Sequence, residues 1–140
     1  MHQQTKISMK NNELSSKIIG AAIEVHNTLG PGLLESAYEE CLCHELGLRS
    51  TSCERQKALP IIYKSKKLDC GYRLDIVVEN LIILELKCCK KIEPIHKAQL
   101  LTYLKLLKKP KGLLINFNSD NITKSLIPLV TEEFSLLHKD

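Results

Sequence analysis

The sequence predicts an α/β domain with a mixed central β-sheet flanked by helices, in the order α-α-β-β-β-β-α-β. Three observations support this. Apolar residues recur every three to four positions in the first third of the chain, the middle carries alternating or continuous apolar runs, and a Pro-bounded helical stretch separates the last of these runs from another. A chain of 140 residues has room for one hydrophobic core, which excludes two full domains. The composition, 44% hydrophobic and 26% charged, excludes wholesale disorder and low-complexity structure.

The elements follow in order. Asn11 and Asn12 serve as caps, and Leu14, Ile18, Ala21, Ala22 and Val25 form a stripe, so a helix is expected over about Glu13 to Leu29, with Gly30-Pro31-Gly32 ending it. A second helix is expected from Leu33 to Leu46, with Leu34, Ala37, Tyr38, Cys41 and Leu42 on one stripe and Gly47 as its stop. Strands are expected over Ser50 to Gln56, Leu59 to Tyr63, Cys70 to Val78 and Leu81 to Lys87, with turns at Lys64-Ser65-Lys66 and Glu79-Asn80. Pro94 suits the first turn of a helix reaching Lys109, which Pro110 ends. Gly112 to Phe117 reads as a buried strand, and a last strand is expected around Ser125 to Val130. Residues 1–11 are expected to be a flexible tail, 12–130 the single domain, and 131–140 a tail or short helix.

The longest apolar runs, such as Leu81-Ile82-Ile83-Leu84, are broken by charge within a few residues, far short of a membrane span. The polar start, Met1 to Lys6, lacks the apolar stretch of a secretory signal, and a cytoplasmic location is the expectation. Six cysteines would suggest disulfides in a secreted chain, but in this setting they are expected to be reduced and mostly buried. Zinc spacing is absent too: Cys41 and Cys43 would diverge by about 200° on a helix, and the adjacent Cys88 and Cys89 point to opposite faces of a strand.

The net charge of +4 decides little alone. Lysines gather at Lys64, Lys66 and Lys67, at Lys87, Lys90 and Lys91, and at Lys105, Lys108, Lys109 and Lys111. Each cluster is either a solvated loop or helix end, or a contact for an anionic partner.

Parity arithmetic is more informative in the two central strands. One face would carry Leu74, Ile76 and Val78, the other Asp75 and Val77; across the turn, Ile82, Leu84 and Leu86 alternate with Ile83, Glu85 and Lys87. A two-residue turn at Glu79-Asn80 would bury Glu85 alone among Leu74 and Ile76. A three-residue connection, Glu79-Asn80-Leu81, pairs Val78 with Ile82 and Asp75 with Glu85, leaving one face wholly apolar. Burial therefore selects the register that brings Asp75, Glu85 and Lys87 together.

Two facing carboxylates, roughly 5 Å apart at the backbone, repel unless a cation lies between them. Magnesium, with its preference for oxygen, meets that need, and the Leu86 carbonyl adds a further ligand. Lys87 would orient or deprotonate an attacking water, or stabilise charge on a phosphate oxygen. The alternative is an ordinary cross-strand salt bridge on a solvated face.

Asp75 followed by Glu85-Leu86-Lys87 resembles the core signature of the PD-(D/E)XK nuclease superfamily, whose fold is restriction-endonuclease-like. Gly32-Leu33-Leu34-Glu35-Ser36-Ala37-Tyr38 resembles the motif that names the GxxExxY protein family, a small branch of that superfamily. The resemblance continues through Gln99 to Leu104 and Gly112 to Phe117. It implies a Mg²⁺- or Mn²⁺-dependent nuclease acting on nucleic acid, DNA above all. Glu35, Asp75, Glu85 and Lys87 would be its catalytic residues, with Asp75, Glu85, Glu35 and the Leu86 carbonyl as metal ligands. Gln99 and Tyr103, four residues apart on one helix face, would border the site, supported by Gly32 and Tyr38. Lys64, Lys66, Lys67, Lys90 and Lys91 would contact nucleic acid.

Each residue also has a plainer reading. Glu35 sits at a capping-box position, Tyr38 suits helix packing, Gly32 suits a turn, and Gln99 with Tyr103 suits a half-buried polar pair. His26 and His96 stand alone and read as structural, and Glu54 as a solvated strand end. A catalytically silent nuclease-fold module that binds nucleic acid or protein is the alternative function, and a homodimer completing a nucleic-acid groove is a further possibility.

Overall fold

The computed structural model describes the backbone of residues 2–131, with side chains from residue 12 onward. Helix α1 spans His2–Leu29 and α2 spans Glu35–Leu48. The helix thus begins at His2, about ten residues before the Asn11-Asn12 cap and within the segment expected to be a tail. At the other end of the hairpin, α2 runs through Gly47 and stops at Leu48, where the Arg49 N–H closes onto the Glu45 and Leu46 carbonyls. Most of the expected C-terminal tail or short helix over residues 131–140 lies outside the described residues.

Five strands form the main sheet: β1 (Cys53–Ala58), β4 (Arg73–Val78), β5 (Ile82–Lys87), β6 (Lys111–Asn116) and β7 (Leu126–Val130), in the order β1-β4-β5-β6-β7. Two short strands, β2 (Ile61–Tyr63) and β3 (Lys66–Leu68), make a separate antiparallel hairpin between β1 and β4. The expected turn takes in Lys66 and the expected third strand starts only at Cys70, so β3 is an element that the sequence pattern does not show, and β4 starts three residues later than expected. The hairpin instead turns tightly at Lys64 and Ser65, both at positive φ, the twist that two-residue loops favour.

Among the described strands only β5 and β6 pair in parallel, so α3 (Pro94–Leu107) provides the crossover that such a pair requires. Strand β5 lies at the centre and is buried from Ile82 through Leu86, which explains its nearly continuous apolar run. Helices α1 and α2 cover one face: Ile18, Ala22, Tyr38, Leu42 and Leu46 pack on Ile76, Val78, Leu84, Leu86 and Ile115. On the opposite face, Leu100, Tyr103 and Leu104 of α3 pack on Leu74, Val77, Ile83 and Leu114. Close approach of α3 requires Gly112, where a Cβ would lie 3.0 Å from Leu100 Cδ1. The outermost strand β7 carries Pro128, a residue that edge strands tolerate.

The β4–β5 register is Val78 with Ile82, Val77 with Ile83 and Ile76 with Leu84, as burial demanded. Glu79 and Asn80 both adopt positive φ, and the Leu81 N–H donates to the Val78 carbonyl at 2.9 Å, leaving Leu81 as the third residue of the connection. One parity expectation fails. Leu74 belongs to the α3 face with Val77 rather than to the face of Ile76 and Val78. The alternation breaks at Asp75, where the neighbouring strand places Gln56 at φ 51°.

Candidate active site

The Gly-rich turn and Tyr38 set the start of α2. Gly30 and Gly32, at φ 71° and 108°, take conformations that side chains disfavour. The buried Tyr38 hydroxyl donates to the Gly30 carbonyl and accepts the Leu33 N–H at 3.1 Å, while its ring stacks on Phe117 with centroids 4.4 Å apart. Turn, helix start and β6 end are thereby fastened to one another. Glu35 is exposed as the first helical residue after an N-cap at Leu34 that makes no side-chain hydrogen bond, so the capping box expected there does not form. A capping box forms instead at α3, where His96 Nδ1 accepts the Glu93 N–H at 3.0 Å. His26 is likewise structural: its Nε2–H donates to the Ser119 carbonyl at 2.7 Å.

Asp75 and Glu85 meet where the regular β4–β5 ladder ends. Each carboxylate takes an N–H from the other strand: Leu86 N donates to Asp75 Oδ2 at 2.8 Å and Asp75 N to Glu85 Oε1 at 3.3 Å. Side chains thus replace backbone acceptors at this rung, which fixes both carboxylates against the sheet. Asp75 is half-buried and Glu85 is 5% exposed. Burial, then repulsion from Asp75, raises the Glu85 pKa from 4.5 to about 8. Burial is also the main cause of the upward shift at Asp75, with Glu39 adding to it.

Lys87, half-buried at the end of β5, favours the charged form of both acids. It forms no ion pair with them, for the ion pairs among the described residues are Arg49–Glu45, Arg55–Glu39 and Lys57–Glu54. The ordinary cross-strand salt bridge is therefore not what these residues make. Tyr103 of α3 is buried close by, its hydroxyl pushed up by burial and by Glu85, and Gln99 is half-buried one turn earlier.

The strands and α3 therefore gather Asp75, Glu85, Lys87 and Tyr103. Glu35 does not join them as a third ligand: no group of three His, Cys, Asp or Glu side chains arranged for a metal occurs among the described residues. Glu35 lies instead near Cys88, whose thiol burial raises to about 11, with Glu35 adding to the shift. All six cysteines are free, Cys70 exposed and the others half-buried rather than buried. Lys64, Lys66 and Lys67 are exposed on the β2–β3 hairpin, and Lys90 and Lys91 in the loop after β5. Glu54 is a solvated strand end, 3.9 Å from Lys57.

Sequence reasoning missed Glu39. Only 4% exposed, it accepts Arg55 Nε at 3.2 Å and Gln56 Nε2 at 3.0 Å on each oxygen. The signal was present, since Glu39 shares a helical stripe with Leu42 and Leu46 and stands one turn after Glu35. An acid on an apolar stripe needs partners.

This carboxylate rung, continued by Lys87, coincides with the acid, acid and lysine of a known nuclease signature. A model of the PD-(D/E)XK nuclease superfamily matches residues 12–127. The chain belongs to this superfamily. Its five-strand mixed sheet flanked by helices agrees with the restriction-endonuclease-like fold, and members generally use divalent metals and act on nucleic acid. No described helix of this PD-(D/E)XK chain is long and apolar enough to cross a membrane. Comparison with curated proteins and with solved structures finds no match.

Proposed function

We propose that this PD-(D/E)XK chain is a metal-dependent phosphodiesterase acting on nucleic acid, with DNA the expected substrate, and that it belongs to the GxxExxY group of the superfamily. The observation that carries this reading is the facing pair of inward carboxylates beside an unpaired lysine. Their oxygens suit a hard divalent ion, because burial and mutual repulsion disfavour two bare negative charges. Asp75, Glu85 and the Leu86 carbonyl would hold Mg²⁺ or Mn²⁺, with Glu35 at the start of α2 standing outside that set. When bound, the ion supplies an activated water and neutralises phosphate charge.

Lys87 stabilises charge developing on the phosphate oxygens and orients the water. Tyr103 and Gln99 border the substrate, Gly32 and Tyr38 hold the start of α2, and Lys64, Lys66, Lys67, Lys90 and Lys91 contact phosphates.

Cleavage of labelled DNA in Mg²⁺ or Mn²⁺ tests the reading. Asp75→Ala and Lys87→Ala are each expected to lower the rate about 100-fold or more. Absence of cleavage with both ions, or rates unchanged in both variants, overturns it.

A further inference from the structure

The β2–β3 hairpin stands apart from the main sheet and is anchored at its base. Leu59 and Ile61 pack with the α3-side core, while Ile62 and Tyr63 at the tip are 64% and 62% exposed. Between Ile61 and Leu68 the hairpin carries Lys64, Lys66 and Lys67 and no acid, and none of the three lysines forms an ion pair with a described residue. Tyr63 pairs across the hairpin with Lys66, and Lys64 Nζ lies 5.4 Å from the Tyr63 ring centroid. The topology places this arm beside the candidate active site. It leaves the sheet at the rung joining Ala58 and Arg73, two residues before Asp75, and its base is closed by the Leu59 N–H donating to the Tyr72 carbonyl at 2.9 Å.

An aromatic ring exposed among uncompensated lysines suits a polyanion that also presents flat apolar faces. Nucleic acid is such a partner, but a duplex hides its base faces within the stack. We infer that the hairpin is a strand-binding arm on which an unpaired base stacks against Tyr63 while Lys64, Lys66 and Lys67 hold the flanking phosphates, so that the chain prefers single-stranded or locally opened nucleic acid. This rests on the nucleic-acid reading above and specifies its substrate. It also gives Tyr63 and Ile62 a reason for their exposure, which packing does not provide.

The test uses the full chain in EDTA, so binding is read without cleavage. Fluorescence anisotropy compares a labelled oligothymidylate with a labelled duplex of equal length. The wild type is expected to bind the oligothymidylate more tightly. Tyr63→Ala and Tyr63→Leu are each expected to weaken that binding about tenfold, whereas Tyr63→Phe retains it and duplex binding changes little. Replacing Lys64, Lys66 and Lys67 with Ala is expected to lower the slope of log affinity against log salt by about 2. The exposure of Tyr63 makes misfolding of these variants easy to separate by circular dichroism.

Wild-type affinity in Tyr63→Ala, or in Tyr63→Leu, overturns the stacking arm. So does sedimentation showing that Tyr63→Ala dissolves a self-association while oligothymidylate affinity is unchanged, which would make the tip a contact between copies. Tyr63-dependent binding by a chain that never cleaves supports the arm and overturns the phosphodiesterase. Cleavage with wild-type strand affinity in Tyr63→Ala does the reverse.

Discussion

At the scale of single residues, Glu85 makes the metal-free chain's stability depend on pH. Its pKa is raised in the fold from 4.5 to about 8, so the folded state holds this proton more tightly than the unfolded chain. The contribution is full below about 4.5 and is lost as the pH rises towards about 8. Thermal melts in EDTA should show wild type losing stability across that window relative to Glu85→Gln, which cannot ionise; parallel curves would refute the assignment. Tyr38 gives a second prediction. Tyr38→Phe keeps the stack on Phe117 but removes the hydroxyl that serves Gly30 and Leu33. Urea titration should show a loss of about 1–3 kcal/mol, against about 3–5 kcal/mol for Tyr38→Ala.

At the scale of elements, the crossover helix depends on a glycine that lets it approach closely, and the carboxylate rung lies beside a left-handed glutamine. Gly112→Val would drive a branched side chain into Leu100, where even a Cβ lies 3.0 Å away. It should destabilise the chain by about 1–3 kcal/mol by chemical denaturation. Gln56 keeps a positive φ while both Glu39 oxygens accept its amide. Gln56→Ala should therefore cost more stability than removal of an exposed strand residue such as Glu54, because it leaves the buried Glu39 carboxylate with Arg55 alone.

The sequence made some of this legible and hid the rest for physical reasons. The Val78–Ile82 register could be read because the competing register buried a lone carboxylate, an expensive alternative. Leu74's change of face could not, since it accompanies a left-handed Gln56 on the neighbouring strand that no glycine announces. Short β3, written Lys66-Lys67-Leu68, has too little apolar alternation to be seen, and Glu39 was hidden by reading its helix for apolar residues only. Asp75, Glu85 and Lys87 were legible as a group because strand parity places them together; where Glu35 stands depends on how a glycine turn aims a helix, which residue spacing does not give.

At the scale of the whole molecule, the facing acids predict a response to divalent ions that needs no substrate. Mg²⁺ or Mn²⁺ should raise the melting temperature of wild type, by an amount that grows with concentration through mass action. Asp75→Asn should abolish that shift, and an equal shift in the variant would place the ion elsewhere. The sheet's outer rims carry a separate consequence. At one rim β1 presents Glu54, Arg55 and Gln56 to solvent, and at the other Pro128 interrupts the row of backbone donors along β7. Both are poor templates for recruiting a strand from a neighbouring molecule. A concentrated solution of the chain should therefore resist fibril-like growth, with new β-structure in such samples arising from unfolded chains.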